Sequence, residues 1–287
     1  MTDLLFPVGL RELANRYDAV FCDVWGVIHN GRRAFEPACE ALVQFRETGG
    51  RVVLITNAPV PKAHVLRYFE PLGVPSRAFD DCVSSGDAAR TELQTWTGRK
   101  VWVLGVDESF ERDRFLYDGL DLELVGSPEA ADAVLCIGLE QAHRDDPEAH
   151  RSMIKPAAER RLPMLCANPD IVVRVGDRLV YCAGAVAQIY EQLGGPVIYP
   201  GKPYPTIYSA ARSKLAAIGG PVEADRILCI GDGPATDIRG AQNQGLDSLY
   251  VGSGLNQYDA GGFAAGAPRI LADAGVTATY AMPELAW

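Results

Sequence analysis

The sequence predicts an α/β protein built on a parallel-sheet core, with a second α/β unit inserted into it. Two observations carry this expectation. Short apolar runs rich in β-branched residues alternate with stretches of helical period, the pattern of parallel strands buried on both faces. In the middle of the chain the same alternation runs a course of its own before the flanking pattern resumes.

Taken in order, the first strand is expected at AVFC (19–22), ending at Asp23. A helix over Pro37–Thr48 stops at Gly49-Gly50, since glycine favours the position after a helix C-terminus. RVVLIT (51–56) is the second strand, and a helix over Lys62–Leu72 leads to a weaker run, CVSS (82–85). The inserted unit offers VWVLG (101–105), ADAVLCIG (131–138), PMLCAN (163–168) and RLVYC (178–182) as strands, with a helix over Asp146–Arg161. Beyond it come PVIY (196–199), a helix from Pro205 to Ile218, RILCIG (226–231) and SLYVG (248–252), all assigned to the core. The Gly- and Ala-rich stretch Gly254–Gly266 reads as a loop. The resulting division is 1–85 plus 183–287 for the core and 86–182 for the insertion, with no tandem repeat and no low-complexity linker.

Composition narrows the function classes. Hydrophobic residues at 48% and charged residues at 22% describe a folded globular chain and exclude a disordered one. A net charge of −10 weighs against nucleic acid or an anionic membrane as partner, although a pocket can still draw a small anion through its local field. The cysteines at 22, 39, 82, 136, 166, 182 and 229 are odd in number and lack zinc spacing. Several, such as Cys136 and Cys229, sit inside apolar runs and read as buried free thiols in a reducing cytoplasm. The N-terminal stretch is charged too early for a signal peptide, and no apolar run reaches the roughly 18 residues of a membrane span, so a cytoplasmic location is expected.

In open α/β sheets ligands bind beyond the carboxyl ends of the strands. Those ends carry a chemical inventory here. The first strand runs into Asp23-Val24-Trp25-Gly26-Val27, the second into Thr56-Asn57, and Lys202 follows PVIYPG. RILCIG runs into Asp232-Gly233-Pro234-Ala235-Thr236-Asp237. Carboxylates gathered in one buried place repel each other, so Asp23, Asp232 and Asp237 call for a metal ion or a lysine. An all-oxygen site with few protein ligands suits Mg²⁺, which keeps several waters and accepts a substrate phosphate oxygen.

FCDVWGV, LITN, PGKP and CIGDGPATDIRGA, in this order, resemble the four motifs of the haloacid dehalogenase superfamily. The insertion between the second and third motifs resembles the class IIA cap arrangement of nucleotide, 4-nitrophenyl phosphate and pyridoxal phosphate phosphatases. SSGDAARTEL (84–93), CANPD (166–170) and CAGAVAQIYEQLGG (182–195) agree with it, so the likeness covers nearly the whole chain. It implies a Rossmann-like core with a C2-type α/β cap, a Mg²⁺ cofactor and a small phosphorylated metabolite as substrate. It also admits a homodimer through the cap. Asp23 is implied as the nucleophile that forms an aspartyl-phosphate. Asp232, Asp23 and the backbone carbonyl of Trp25 are implied as metal ligands, with Asp237 acting through water or anchoring Lys202. Thr56 and the amide of Asn57 would bind phosphoryl oxygens, and Lys202 would pair with Asp23 and the developing charge. Asn168 and Asp170 are the cap-side candidates for substrate contact, and the same Asn-Pro-Asp is also a good turn sequence. Each residue has a plain alternative: a turn aspartate for Asp23, a strand-end hydroxyl for Thr56, a loop lysine for Lys202, a surface helix charge for Asp237.

One position departs from the family pattern. Phosphatases of this superfamily usually carry a second aspartate two residues after the nucleophile, as general acid for the leaving alcohol, and here that position is Trp25. Indole cannot serve, which favours acidic leaving groups such as aryl or acyl phosphates. Its ring could instead stack on a planar substrate. His29, expected to be exposed, is a candidate replacement acid. Two other readings stay open: a dehalogenase-like hydrolase, and a weakened catalyst that now binds a ligand or partner.

Overall fold

The computed structural model describes residues 4–105, 111–139, 146–175, 178–254, 258 and 262–287. Among them the strands are, in chain order, β1 Ala19–Cys22, β2 Arg51–Thr56, β3 Asp81–Ser84, β4 Lys100–Leu104, β5 Glu123–Val125, β6 Ala133–Cys136 and β7 Met164–Cys166. They continue with β8 Val172–Val175, β9 Arg178–Tyr181, β10 Val197–Ile198, β11 Ile227–Gly231, β12 Asp247–Val251 and β13 Tyr280–Met282. The chain divides into two compact units, one of residues 1–56, 66–83 and 203–287, the other of 57–65 and 84–202.

The first unit is built on one sheet in the order β13-β12-β11-β1-β2-β3. β1 lies between β11 and β2, parallel to both, with Val20 facing Leu228 on one side and Val52 on the other. A strand with helices over both faces has no polar side, so all four residues of AVFC are buried. Phe21, Val53, Ile227 and Cys229 pack on one face against Tyr208, Ala211 and Leu215 of the helix Pro205–Gly219. Tyr250, in register with Gly231 and so on the same face, packs farther along the sheet against Ala267 and Leu271 of the helix Gly262–Asp273. β12, next to the edge strand β13, is pinned at its start. Asp247 accepts from the Tyr17 hydroxyl at 2.6 Å and from the Thr279 hydroxyl at 2.9 Å. Leu5 then bonds to the backbone on either side of Tyr280, covering an edge that would otherwise be open to pairing.

The second unit has a parallel sheet in the order β10-β7-β6-β4-β5 and a separate antiparallel hairpin of β8 and β9. Side chains alternate across this sheet as a period of two demands. Val134 and Cys136 enter one apolar layer with Met164 and Tyr190, while Ala133 and Leu135 enter the other with Leu93, Trp96 and Leu165. No helix among the described residues is long and apolar enough to cross a membrane.

Several expectations change. PVIY was expected in the core, yet Val197 and Ile198 pair with Met164 and Leu165, so this strand extends the inserted sheet. The preceding helix, Ala183–Gln192, packs Val186, Ile189 and Tyr190 into the same layer, and the stretch 183–202 accordingly belongs to the second unit. The helix expected over 62–72 is two pieces, Lys62–Arg67 and Phe69–Leu72. Pro71 explains the break, since it has no N–H to offer the carbonyl four residues back. The helix expected from 146 begins as a 3₁₀ turn, Pro147–His150, and becomes α-helical only at Arg151. The loop expected over 254–266 is helical from Gly262, where an alanine-rich sequence favours that state; residues 255–257 and 259–261 lie outside the described residues.

Every cysteine is buried and none is in a disulfide, and burial pushes the Cys39 thiol up to about 11 and that of Cys136 to about 12. Only the thiolate is an effective nucleophile. A thiol-specific disulfide reagent should therefore find almost no fast-reacting group in the folded protein and seven after denaturation. A stoichiometric fast thiol in the native protein would show that one of these positions opens.

Candidate active site

The chemistry of the first unit gathers where its two central strands end. Asp23 directly follows β1 and Asp232 directly follows β11, its neighbour in the sheet. The Asp23 amide donates to the Ile230 carbonyl at 2.8 Å, which fixes the two ends side by side. Asp237 joins them from a wide helical turn over Pro234–Ile238, in which both the Asp237 and the Ile238 amides donate to the Gly233 carbonyl. The turn returns the Asp237 carboxylate to its own start, where it accepts from the Gly233 amide at 3.0 Å.

Asp23, Asp232 and Asp237 are each less than a tenth exposed, and one carboxylate oxygen from each lies within 4.8 Å of the other two. Three like charges this close, away from water, destabilise one another unless a cation or protons offset them. Oxygen donors of this kind fit a hard divalent ion such as Mg²⁺ or Ca²⁺, and the set contains no sulfur or imidazole that would favour a softer metal.

Backbone packs directly onto this cluster. Gly26, at φ 88°, and Gly254 both lie so close to the Asp232 carboxylate that a Cβ on either would collide with it. The Ser253 hydroxyl donates to the Gly26 carbonyl at 2.8 Å and ties the two loops together. Sequence reasoning passed over Ser253 and Gly254. The signal that could have found them is their place just past the carboxyl end of an apolar run, the rule that singled out Asp23 and Asp232.

Trp25 is half-buried. Its six-membered ring lies on Gly31, which cannot carry a Cβ there, and it meets the His29 ring nearly perpendicular at a centroid distance of 5.4 Å. His29 is buried, where an exposed side chain was expected, and touches Phe69 at 6.0 Å beyond it. Its Nδ1 accepts from the Gly31 amide at 3.1 Å, and burial lowers its pKa to about 4. A neutral imidazole committed in this way supports the Trp25 loop and is a poor proton donor. Thr56 ends β2, one strand over from Asp23, and is buried.

The second unit carries the other predicted residues as a group of its own. Asn57 and Lys202 are buried and bonded in both directions. The Lys202 amide donates to Asn57 Oδ1 at 2.7 Å, and Asn57 Nδ2 donates to the Lys202 carbonyl at 3.1 Å. Asn57 Nδ2 also donates to Asp170 Oδ1 at 2.9 Å. The Asn168 side-chain oxygen accepts from the Asp170 amide at 3.1 Å. Asn168 and Asp170 thus make a turn that grips Asn57, a placement their expected role in substrate contact did not anticipate.

A parallel sheet that gathers three carboxylates beyond its central strands, and whose sequence is interrupted by a second α/β unit, fits a hydrolase. Comparison with known proteins makes this specific. Residues 20–113 match the family model for haloacid dehalogenase-like hydrolases, and residues 199–274 match a second, HAD-hydrolase-like model. A hydrolase of the haloacid dehalogenase-like family from Brucella suis 1330 is 41% identical, with 98% of this chain and 100% of that one covered at a TM-score of 0.86. The ribonucleotide monophosphatase NagD of Escherichia coli K12 is 26% identical over 84% of this chain and 89% of its own length. A glycerol phosphate phosphatase from Mycobacterium tuberculosis, solved with magnesium, is 25% identical over 85% of this chain and 71% of that one, at a TM-score of 0.63. The chain belongs to the haloacid dehalogenase-like hydrolase family, and its relatives support the class IIA branch.

If Asp232 helps to hold a cation, a divalent ion should raise the melting temperature of the wild type and leave Asp232→Asn nearly unmoved. Without metal the variant should melt above the wild type by roughly 2–4 °C, because one of three like charges is gone. A cation-induced shift undiminished in the variant would remove Asp232 from the site.

Proposed function

We propose that this protein is a Mg²⁺-dependent phosphatase of a small phosphate monoester, with Asp23 as its nucleophile. The observation that carries the reading is the buried cluster of Asp23 and Asp232, at adjacent strand ends, with Asp237 from the turn that follows. An Asp23 oxygen bonds to phosphorus as the bond to the leaving oxygen breaks, giving an aspartyl-phosphate. Water then attacks phosphorus, the bond to Asp23 breaks, and phosphate departs with the carboxylate restored. Asp23, Asp232 and the Trp25 carbonyl would hold the metal, with Asp237 acting through water. Bound Mg²⁺ would offset the charge that otherwise keeps an anionic nucleophile from an anionic phosphate. By family resemblance, Thr56 and the Asn57 amide bind the phosphoryl oxygens and Lys202 supplies positive charge.

Relatives support phosphate-ester chemistry. NagD is named a ribonucleotide monophosphatase, and a Bacillus subtilis relative at 23% identity is named a 5′-nucleotidase. The carboxylate cluster speaks against the dehalogenase reading, since displacement at carbon needs no metal site. With indole at position 25 and His29 neutral and engaged, the preferred esters are those with acidic leaving groups, aryl or acyl phosphates among them. A cytoplasmic metabolite suits the acidic chain with its reduced thiols.

Phosphate release should be measured over aryl, sugar, nucleotide and pyridoxal phosphates, with and without Mg²⁺. The expected result is turnover that a chelator and Asp23→Asn each abolish while the variant stays folded. Turnover that survives in Asp23→Asn would end the covalent reading. Trp25→Asp should raise kcat on alkyl phosphates toward the roughly 10²–10⁴-fold that a general acid supplies, and should do much less for aryl phosphates. Equal gains on both would mean that leaving-group protonation is not what position 25 controls.

A further inference from the structure

The clamp around Asn57 has one member whose placement the proposed chemistry does not use. A primary amide has two N–H donors and one carbonyl acceptor. Asn57 commits all three: one N–H to the Lys202 carbonyl, the other to Asp170 Oδ1, and its oxygen to the Lys202 amide. Two of these bonds hold the backbone of Lys202 from both sides, and the third holds Asn57 itself. Asp170 is set for this by the Asn168 turn, and Pro169 between them packs against Gly201, the residue before Lys202. Gly201 has no room for a side chain, since a Cβ would strike Asn57 Oδ1, Ser85 Oγ and Pro169. Ser85 completes the knot by donating to the Ala167 carbonyl at 2.6 Å.

We infer that Asp170 is a positioning residue that fixes the Lys202 backbone through Asn57, and not a substrate contact. Its carboxylate accepts from one end of the Asn57 amide, which keeps that end a donor and leaves the oxygen facing the Lys202 amide. A flipped amide would set N–H against N–H at Lys202 and oxygen against carboxylate at Asp170. The charge also polarises the amide, so the two bonds to Lys202 strengthen with the third. A few tenths of an ångström of freedom at Lys202 matter because charge stabilisation of a transition state depends on preorganised geometry. The inference rests on the reading of Lys202 as the positive charge at the phosphoryl group.

The test combines kinetics with hydrogen exchange of the Lys202 backbone amide, which is independent of activity. Asp170→Ala should lower kcat roughly 10- to 100-fold, the loss expected when a hydrogen bond to a charged acceptor is withdrawn, with KM little changed and the same factor on every substrate. Its Lys202 amide should exchange at least about tenfold faster. Asp170→Asn keeps an acceptor oxygen and should recover most of both quantities. Gly201→Ala attacks the same clamp from the other side and should speed Lys202 exchange even with Asp170 intact. If Asp170→Ala does not fold, Asp170→Ser replaces it with the same expectations. Unchanged Lys202 exchange in the folded variant, or a KM rise that differs between substrates, would overturn the inference in favour of substrate contact. If the wild type releases no phosphate, the phosphatase reading fails by itself, and the exchange experiment still decides whether Asp170 holds Lys202.

Discussion

The first unit is arranged around a repulsion. Three carboxylates share a buried place with oxygens within 4.8 Å, an arrangement costing several kcal/mol per unbalanced charge. Packing elsewhere in the sheet must tolerate that cost until a cation offsets it. Two features do so. The central strands, β1 and β11, are entirely apolar and locked in register, and the Asp23–Ile230 backbone bond extends the ladder to the first acidic residue. Around Asp232 the chain uses glycine, so that backbone fills the space side chains would otherwise contest. A polar site sits at the end of the most hydrophobic part of the unit, where a stiff sheet can hold it.

The second unit solves a different problem. At its polar centre donors meet acceptors within the protein, the Asn57 side-chain amide bonding to the Asp170 carboxylate and to both the N–H and the carbonyl of Lys202. The contrast suits the proposed roles. A metal site must keep ligand oxygens open to an ion, whereas a lysine that serves by position must have its backbone fixed. Trp25 with His29 and Gly31 is a third arrangement, in which an aromatic ring is held by shape. Burial keeps His29 neutral there, because the charged form would lose its hydration.

Much of this was legible in the chain. AVFC and RVVLIT are strands at the predicted residues, and Asp23, Asp232 and Asp237 stood out because acidic residues after apolar runs need a reason. Other elements were hidden for physical causes. The strand at 197–198 is as apolar as a core strand, and nothing within it says which sheet it joins; that depends on Met164 and Leu165, distant in sequence. Pro71 announces a break that helical periodicity over 62–72 had masked. The short edge strands β5 and β13 carry too few residues for a period to show. His29 was expected at the surface because its burial comes from Trp25 and Phe69, and Phe69 meets it only through folding.

By itself the sequence determined the class of fold, the order of its apolar strands, and which acidic residues stand at strand ends, because these depend on local pattern and on side chains close in the chain. Tertiary structure alone decided that Asp23 and Asp232 end neighbouring strands, that Gly254 closes on Asp232, and that Asp170 grips Asn57. Each of those joins residues far apart in sequence, and their meeting is set by strand order and backbone clearance, which no local pattern records.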